Sequence, residues 1–351
     1  MCDLLNENYL QNMKNEAPNF LREKEFRIEQ LDFYFQEIIF KFKESFKSFG
    51  YKEYRPVSLI SEIDHSVRFI GSTINVFKKY LLKFGGLNDK YFLIQKCLRT
   101  RNSKTFFNDL IFPEWSSYFI ALGTISPPED LIKTLDGTID FLFKLGIKNN
   151  QIRINIYYQD GDLLKCITNS CLVNNLLINI DTTENPSSYR HKYGLDKIYG
   201  RNFNIAIKNQ RTEEFKDIGN ITLIENTCGQ LAVEVAMGVS TLISRIFGLS
   251  NSIESSIISK IVPFKEGFTS KFSDALSATV MMLKQKIKSK DRGRYYLLRI
   301  YVLALLYLGD KVNFSFEEIK IFAQNYEKEE FGIISDIGDK LITYMEKYNQ
   351  K

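Results

Sequence analysis

Tyr91-Phe92-Leu93-Ile94-Gln95-Lys96-Cys97-Leu98-Arg99-Thr100 is the stretch from which the fold is read, together with its return at Ser117-Tyr118-Phe119-Ile120-Ala121-Leu122. Both runs are short, rich in aromatic and aliphatic residues and separated by a polar connection. That composition reads as two strands over 91–97 and 117–122. Arg99 stands just past the first strand, at the mouth of the connection.

Upstream, residues 1–24 lack a firm period and are expected to form a loose arm. From Glu25 to Phe49, Phe26, Leu31, Phe35, Ile38, Ile39, Phe42 and Phe46 recur at helical spacing, and Gly50 stops the helix. Strand-like stretches follow at 54–59 and 66–71, then a short helix over 73–82. Downstream, Pro127 and Pro128 open a helix over 129–145, since proline is tolerated in a first turn. Strands are expected at 152–158, 203–207, 220–224 and 231–235, the last leading into a helix over 237–247. After Ser252 the pattern is helical throughout, at about 265–288, 292–308, 314–327 and 333–348. The expected organisation is an arm over 1–24, a mixed α+β unit over 25–250 and an all-helical unit over 251–351.

Composition narrows the function classes. The 351 residues are 44% hydrophobic and 25% charged, enough to bury a sizeable core. A net charge of +5 permits a polyanionic partner without demanding one. Five cysteines without CxxC pairing speak against a disulfide framework and a zinc knuckle. With only His65 and His191 present, a histidine metal site and a Ser-His-Asp triad are both set aside, and no metal ligands are assigned. No phosphate-binding GxxxxGK[ST] loop occurs. The first residues lack a basic segment before an apolar run, and the greasiest stretch, 295–308, is interrupted by Arg299 and too short to span a bilayer. A cytoplasmic protein without a membrane segment is therefore expected.

Local signatures then occur in a telling order. FIGSTINVFKKYLLK over 69–83 resembles FTNAGMNQFKDVFLG of alanyl-tRNA synthetases, sharing Phe69, Asn75, Phe77 and Lys78. Ile94-Gln95-Lys96-Cys97-Leu98-Arg99-Thr100 is similar to their SQRCVRA strand, and SSYFIALGTISPPED over 116–130 to their HTFFEMLGNFSFGDY, keeping Phe119, Leu122 and Gly123. Gly194 and Gly200 sit like glycines of a family loop, and Asn220-Ile221 resembles a WNIVF strand. VEVAMGVST over 233–241 falls where the family has VDTGMGLER, and Arg294-Tyr295-Tyr296-Leu297-Leu298-Arg299 resembles RGYVLR. Over about residues 35–309 the chain thus resembles the catalytic core of a class II aminoacyl-tRNA synthetase, as a truncated, divergent paralogue of the alanyl enzymes.

The resemblance implies an α+β fold, an antiparallel sheet flanked by helices and followed by an all-helical region. It implies ATP with magnesium, a small amino acid and an acceptor such as tRNA. Arg99 becomes the catalytic clamp on the α-phosphate and carboxylate, because a guanidinium makes two parallel charge-assisted bonds; a structural salt bridge is the alternative. Phe119 is placed to stack on adenine, or else is a core aromatic, and Gly238 brings the backbone close to ATP. Glu234 aligns with the acid that holds the substrate ammonium, with Asn220 and His191 beside it. Lys288, Arg292 and Arg294 are the candidate RNA contacts, and a solvated helix end is the alternative.

The departures are as definite. Ile120, Asn204 and Ser240 replace expected acidic residues, and Thr241 replaces the arginine that would meet the ATP phosphates. Arg245 lies one helical turn beyond. The basic helix expected after RGYVLR is apolar over 300–308, and the editing and C-terminal oligomerisation domains of full alanyl enzymes are expected to be missing. Two functions follow: an ATP-dependent ligase that activates a small amino acid for tRNA or another acceptor, or an inactive paralogue that binds RNA, a nucleotide or a protein. A monomer and a homodimer are both compatible with these features.

Overall fold

The computed structural model describes residues 25–61, 67–82, 87–209, 211–263 and 267–349. The expected arm over 1–24, with His65 and Ser66, lies outside them. Leu31–Ser48 forms α1, Lys52–Glu53 β1, Ile74–Leu81 α2, Tyr91–Leu98 β2 and Tyr118–Ser126 β3. Leu131–Lys144 forms α3, Ile152–Tyr157 β4, Gly161–Thr168 α4, Leu177–Asp181 β5, Arg190–Lys192 β6, Tyr199–Lys208 β7, Phe215–Asn226 β8 and Gly229–Gly238 β9. Helices follow at Val239–Phe247 (α5), Phe268–Lys284 (α6), Arg292–Val312 (α7), Phe316–Phe331 (α8) and Ile337–Asn349 (α9).

Among the described residues nine strands make one sheet in the order β1-β2-β3-β9-β8-β7-β4-β5, with β6 against β7. The β1–β2 and β4–β5 pairs are parallel and every other pairing is antiparallel. The chain is α+β, an antiparallel-dominated sheet flanked by helices and followed by a helical region.

Because strand side chains alternate, each strand serves two environments. One face presents Phe92, Leu122, Phe203, Ile205, Ile221, Leu223, Val233 and Val235 to a core closed by α1, α3 and α5. Phe42 of α1 is its pivot: its ring sits 4.7 Å from Phe46, and edge-on to Phe92 at 6.1 Å and Phe141 at 5.4 Å. Helix α1 ends where Gly50 takes φ +79°, and the Tyr51 N–H reaches back to the Phe46 carbonyl at 2.9 Å.

The other face is covered only in part. Over β2 and β3, Ile70, Phe77, Leu93, Cys97, Ala121 and Ile125 pack together beneath α2. There Thr73 lies so close to β3 that a Cβ at Gly123 would stand 2.1 Å from its Oγ1, so glycine is required by the approach of α2. Asn75 Oδ1 accepts the Gly71 and Ser72 N–H groups at 3.0 and 3.1 Å, and Phe77 is fully buried. Residues shared with the 69–83 signature therefore fasten the sheet.

A further core unites α6, α7, α8 and α9 with Leu98, Phe106 and Tyr118 at the end of β2, the connection and β3. Helix α6 is buried nearly all round, as befits the centre of a bundle. The apolar run over 300–308 has the same cause, with Tyr301, Val302, Ala304, Leu305 and Leu308 buried in this core.

Three expectations need correction. Residues 54–59 are not a strand; the Gln95 side chain instead meets the Val57 N–H at 2.9 Å and its carbonyl at 2.8 Å, supplying the partners that a ladder would. Described residues 67–71 are not a strand either, although Ile70 bonds Leu59 and Leu98 through its backbone. Cys171 is disulfide-bonded, against the reading of the cysteine count, while Cys97, Cys166 and Cys228 are free thiols.

Candidate functional site

Register assembles the site. Across the open face, Ile125 of β3 faces Glu234 of β9, Glu234 faces Thr222 of β8, and Thr222 faces Asn202 of β7. One step along, Gly123, Ala236, Asn220 and Asn204 form the next row. His191 of β6 pairs with Gly200 of β7 and joins the same face. A Cβ at Gly200 would lie 2.5 Å from Thr222 Cγ2 and 2.9 Å from the Tyr193 hydroxyl, so glycine lets these two side chains close the wall.

Glu234 is the centre. It is buried, and burial pushes its carboxyl up to about 8, with the Tyr193 hydroxyl (3.4 Å from Oε2) and the Arg99 charge both opposing that rise. His191 stacks on Tyr193 with ring centroids 6.4 Å apart; burial first, then Arg99 and Arg101, hold its imidazolium below the usual range. Arg99 leaves β2 with its N–H on the Ser117 carbonyl at 2.7 Å and remains solvent-accessible. Partial burial and Arg101 lower its pKa, while Cys97 and Glu234 act the other way. Arg99, Arg101, His191, Tyr193 and Glu234 thus share one electrostatic neighbourhood.

Asn220 Oδ1 accepts from Thr222 Oγ1 at 3.3 Å, and Asn204 Oδ1 from Asn202 Nδ2 at 2.7 Å. Phe119, opposite Cys97, is half-buried beside the α2 cluster. Gly238 ends β9 opposite Ala121, where a Cβ would come 3.6 Å from Phe119 and 3.0 Å from Thr241. Its φ of −104° is open to any residue, so its backbone conformation does not demand glycine.

The connection between β2 and β3 is anchored on α6. Buried Asp274 accepts the Ser117 N–H at 2.5 Å, the Ser117 hydroxyl at 2.7 Å and Asn102 Nδ2 at 2.8 Å. Burial pushes its carboxyl up to about 6 despite these donors. Lys271 Nζ donates to the Thr105 and Asn108 carbonyls at 3.2 and 2.5 Å. Two charged side chains of α6 therefore hold the segment that presents Arg99.

The departures acquire locations. Ile120 pairs with Lys96 and points away from Glu234, into a crevice shared with Ser240, Ser277, Tyr326 and Glu330. Arg245 is buried; its Nη2 donates to Glu114 Oε2 at 2.8 Å and its guanidinium lies 4.9 Å from the Trp115 ring centre. Its Nε and Nη1 have no hydrogen-bond partner among the described residues. Of the candidate RNA contacts, Lys288 and Arg292 are exposed at the start of the α7 region. Arg294 is half-buried: it donates through Nε to the Arg68 carbonyl and through Nη1 to Asp291 Oδ2 at 2.5 Å. Arg101, Tyr193, Thr222 and Asn202 were not singled out from sequence. Their signal is cross-strand register, which a linear reading lacks.

No protein-family model matches the chain, and no curated protein matches it in sequence. Solved structures share part of its arrangement at low identity. The apo histidyl-tRNA synthetase of S. aureus is 11% identical over 64% of this chain and 69% of that one, with a TM-score of 0.43. PylSc, a pyrrolysyl-tRNA synthetase of Desulfitobacterium hafniense, is 10% identical over 63% and 72%, at 0.37. The asparaginyl-tRNA synthetase of Entamoeba histolytica is 12% identical over 65% and 66%, at 0.38. Overlap at this level transfers neither a substrate nor a residue role.

Proposed function

We propose that this chain is a class II synthetase-like protein, with an adenylate-forming unit over 25–250 and a helical unit over 251–351, that activates a small amino acid with ATP for tRNA or another acceptor. The observation that carries the reading is the convergence of Arg99 and the buried Glu234 on one polar sheet face, close enough for their charges to interact. An amino acid offers the two complementary charges: its ammonium meets Glu234, and its carboxylate lies toward Arg99. An ammonium beside Glu234 would offset the burial that raises its pKa and keep it ionised.

In the proposed step a carboxylate oxygen bonds to the α-phosphorus of ATP, the bond to the bridging oxygen breaks, and pyrophosphate leaves. Arg99 neutralises charge on the carboxylate and α-phosphate, and Phe119 offers its ring to adenine. Neutral His191 adds no charge that would compete for Glu234. Magnesium fits less well. The positions that resemblance gives to acidic contacts hold Ile120, Asn204 and Ser240, and Asn204 Oδ1 is engaged by Asn202. Among the described residues no three metal-ligating side chains gather.

Pyrophosphate exchange across the amino acids, with Arg99→Ala as control, tests the reading. Exchange with one small amino acid, lost in the variant, supports it. No exchange with any amino acid, together with no ATP binding, overturns it. The second reading, an inactive paralogue acting as a binding module, is favoured by Thr241 and by the commitment of Arg245 to Glu114.

A further inference from the structure

Glu234 shares its row with a second acceptor that the free protein leaves unmet. Two strands away, past Thr222, Asn202 is fully buried and its Oδ1 has no hydrogen-bond partner among the described residues. The other end of the amide fixes its orientation. Asn202 Nδ2 lies 2.7 Å from Asn204 Oδ1 and 3.3 Å from the Ser188 carbonyl, so turning the amide over would set an oxygen against two acceptors. Oδ1 is therefore the atom left over.

The cause of that polarity lies farther along the face. Asn179, Asn155, Asn204 and Asn220 stand opposite one another on β5, β4, β7 and β8. Asp217 lies beside them, and an ionised carboxylate can only accept. Asn155 Nδ2 donates to it at 3.1 Å, Asn179 Nδ2 meets Asn155 Oδ1 at 3.2 Å, and the Asn204 side chain also hydrogen-bonds Asp217. Asn204 thus turns its NH2 to Asp217 and its Oδ1 to Asn202, which answers with its own NH2. A chain of amides that begins at an obligatory acceptor ends, at Asn202, in an acceptor. The Thr222 hydroxyl is engaged with Asn220 Oδ1 and with Tyr193. Glu234 itself is met only loosely, by the Tyr193 hydroxyl at 3.4 Å.

We infer that this row selects the amino acid by a donor on its side chain: the α-ammonium meets Glu234, and a hydroxyl or carboxamide NH2 donates to Asn202 Oδ1. Asn202 is then a specificity-determining residue, and the inference rests on the reading of Glu234 as the ammonium site. Spacing bounds the ligand. Two strand intervals put the Glu234 and Asn202 backbones about 10 Å apart. With side chains standing perpendicular to the sheet, a hydrogen bond of about 2.9 Å at each end leaves roughly 4 Å between the two donors. That suits an α-ammonium and a hydroxyl or amide one or two carbons beyond Cα, as in serine or asparagine. Alanine has no such donor, and neither has leucine, which is close to asparagine in shape. Tyr193 gives up its contact with Glu234 as the ammonium enters.

Calorimetric titration of the full chain with serine, alanine, asparagine and leucine, without ATP, tests this. Serine should bind at least about 10-fold more tightly than alanine, or asparagine than leucine, and the pair that discriminates tells hydroxyl from carboxamide. In Asn202→Leu that ratio should collapse toward one. If the variant does not fold, the two ligand pairs on the parent decide alone. Equal affinity within both pairs, preference for alanine or leucine, or no binding of any of the four each overturns the inference. So does an unchanged ratio in folded Asn202→Leu, the result expected if Oδ1 is met by a buried water instead. Pyrophosphate exchange separates this from the ligase reading. Selective binding without exchange keeps the donor rule and removes the ligase, whereas exchange as fast with alanine as with serine and asparagine keeps the ligase and removes the donor rule.

Discussion

The two faces of the sheet are built from alternate residues of the same strands, yet they follow opposite rules. Along β7, Phe203 and Ile205 enter the helix-covered core while Asn202 and Asn204 face the site. Along β8 the pairs are Ile221 and Leu223 against Asn220 and Thr222, and along β9 Val233 and Val235 against Glu234 and Ala236. The packed face gains the hydrophobic free energy that holds the strands in register. The open face does the reverse: it buries a carboxyl group and leaves Asn202 Oδ1 without a partner among the described residues, an arrangement that costs about 1–3 kcal/mol for an unsatisfied polar atom. Burial without full hydrogen bonding lowers the stability of the free protein.

This contrast breaks most readily at Phe203. Phe203→Ala removes a fully buried ring at the middle of the packed face and should destabilise the chain by about 3–5 kcal/mol in chemical denaturation. A loss below 1 kcal/mol would show that the packed face does not carry the fold. Arg99→Ala should behave in the opposite way. Stability should stay within about 0.5 kcal/mol because the side chain is accessible. Exchange activity should fall roughly 10²- to 10³-fold, the scale for losing one electrostatic contact to a transition state. Equal exchange rates for Arg99→Ala and the parent would remove Arg99 from the site.

The packed face was legible in sequence because apolar periodicity records it directly; the 25–49 reading closely anticipated α1. Strands β5 and β6 were not, since none of their residues is buried and no apolar alternation marks an inner face; helix α4 was not read either. The 54–59 stretch reads as a strand because its residue types suit one, but its backbone is met by the Gln95 side chain. On the open face, Arg99, Glu234, Asn220 and His191 could be picked out through resemblance. Tyr193, Thr222 and Asn202 could not, because only strand pairing brings them beside Glu234. Nor does a basic side chain in sequence reveal its partners, as with Arg294, whose Nε meets the Arg68 carbonyl.

A smaller effect tests the seam where α2 closes the open face. Gly123→Ala places a methyl 2.1 Å from Thr73 Oγ1 and should cost about 1–3 kcal/mol by overpacking. A thermal melt unchanged from the parent would mean that α2 can move off β3 freely.

Glu234→Gln gives the finest test, because its effect depends on pH. The folded-state carboxyl is raised from 4.5 to about 8, so the folded protein binds the proton more tightly than the unfolded chain. Its stabilising contribution is complete below the unfolded value and is lost as pH rises through that window toward 8. Between pH 6 and pH 7 this group alone should cost the parent about 1 kcal/mol, and Glu234→Gln should not share that loss. The variant should therefore gain on the parent in parallel urea titrations as pH rises, while losing affinity for an amino-acid ammonium. A constant difference across pH would show that Glu234 is ionised throughout by a permanent partner, and the open face would then be a structural ion-pair surface rather than one waiting for a cation.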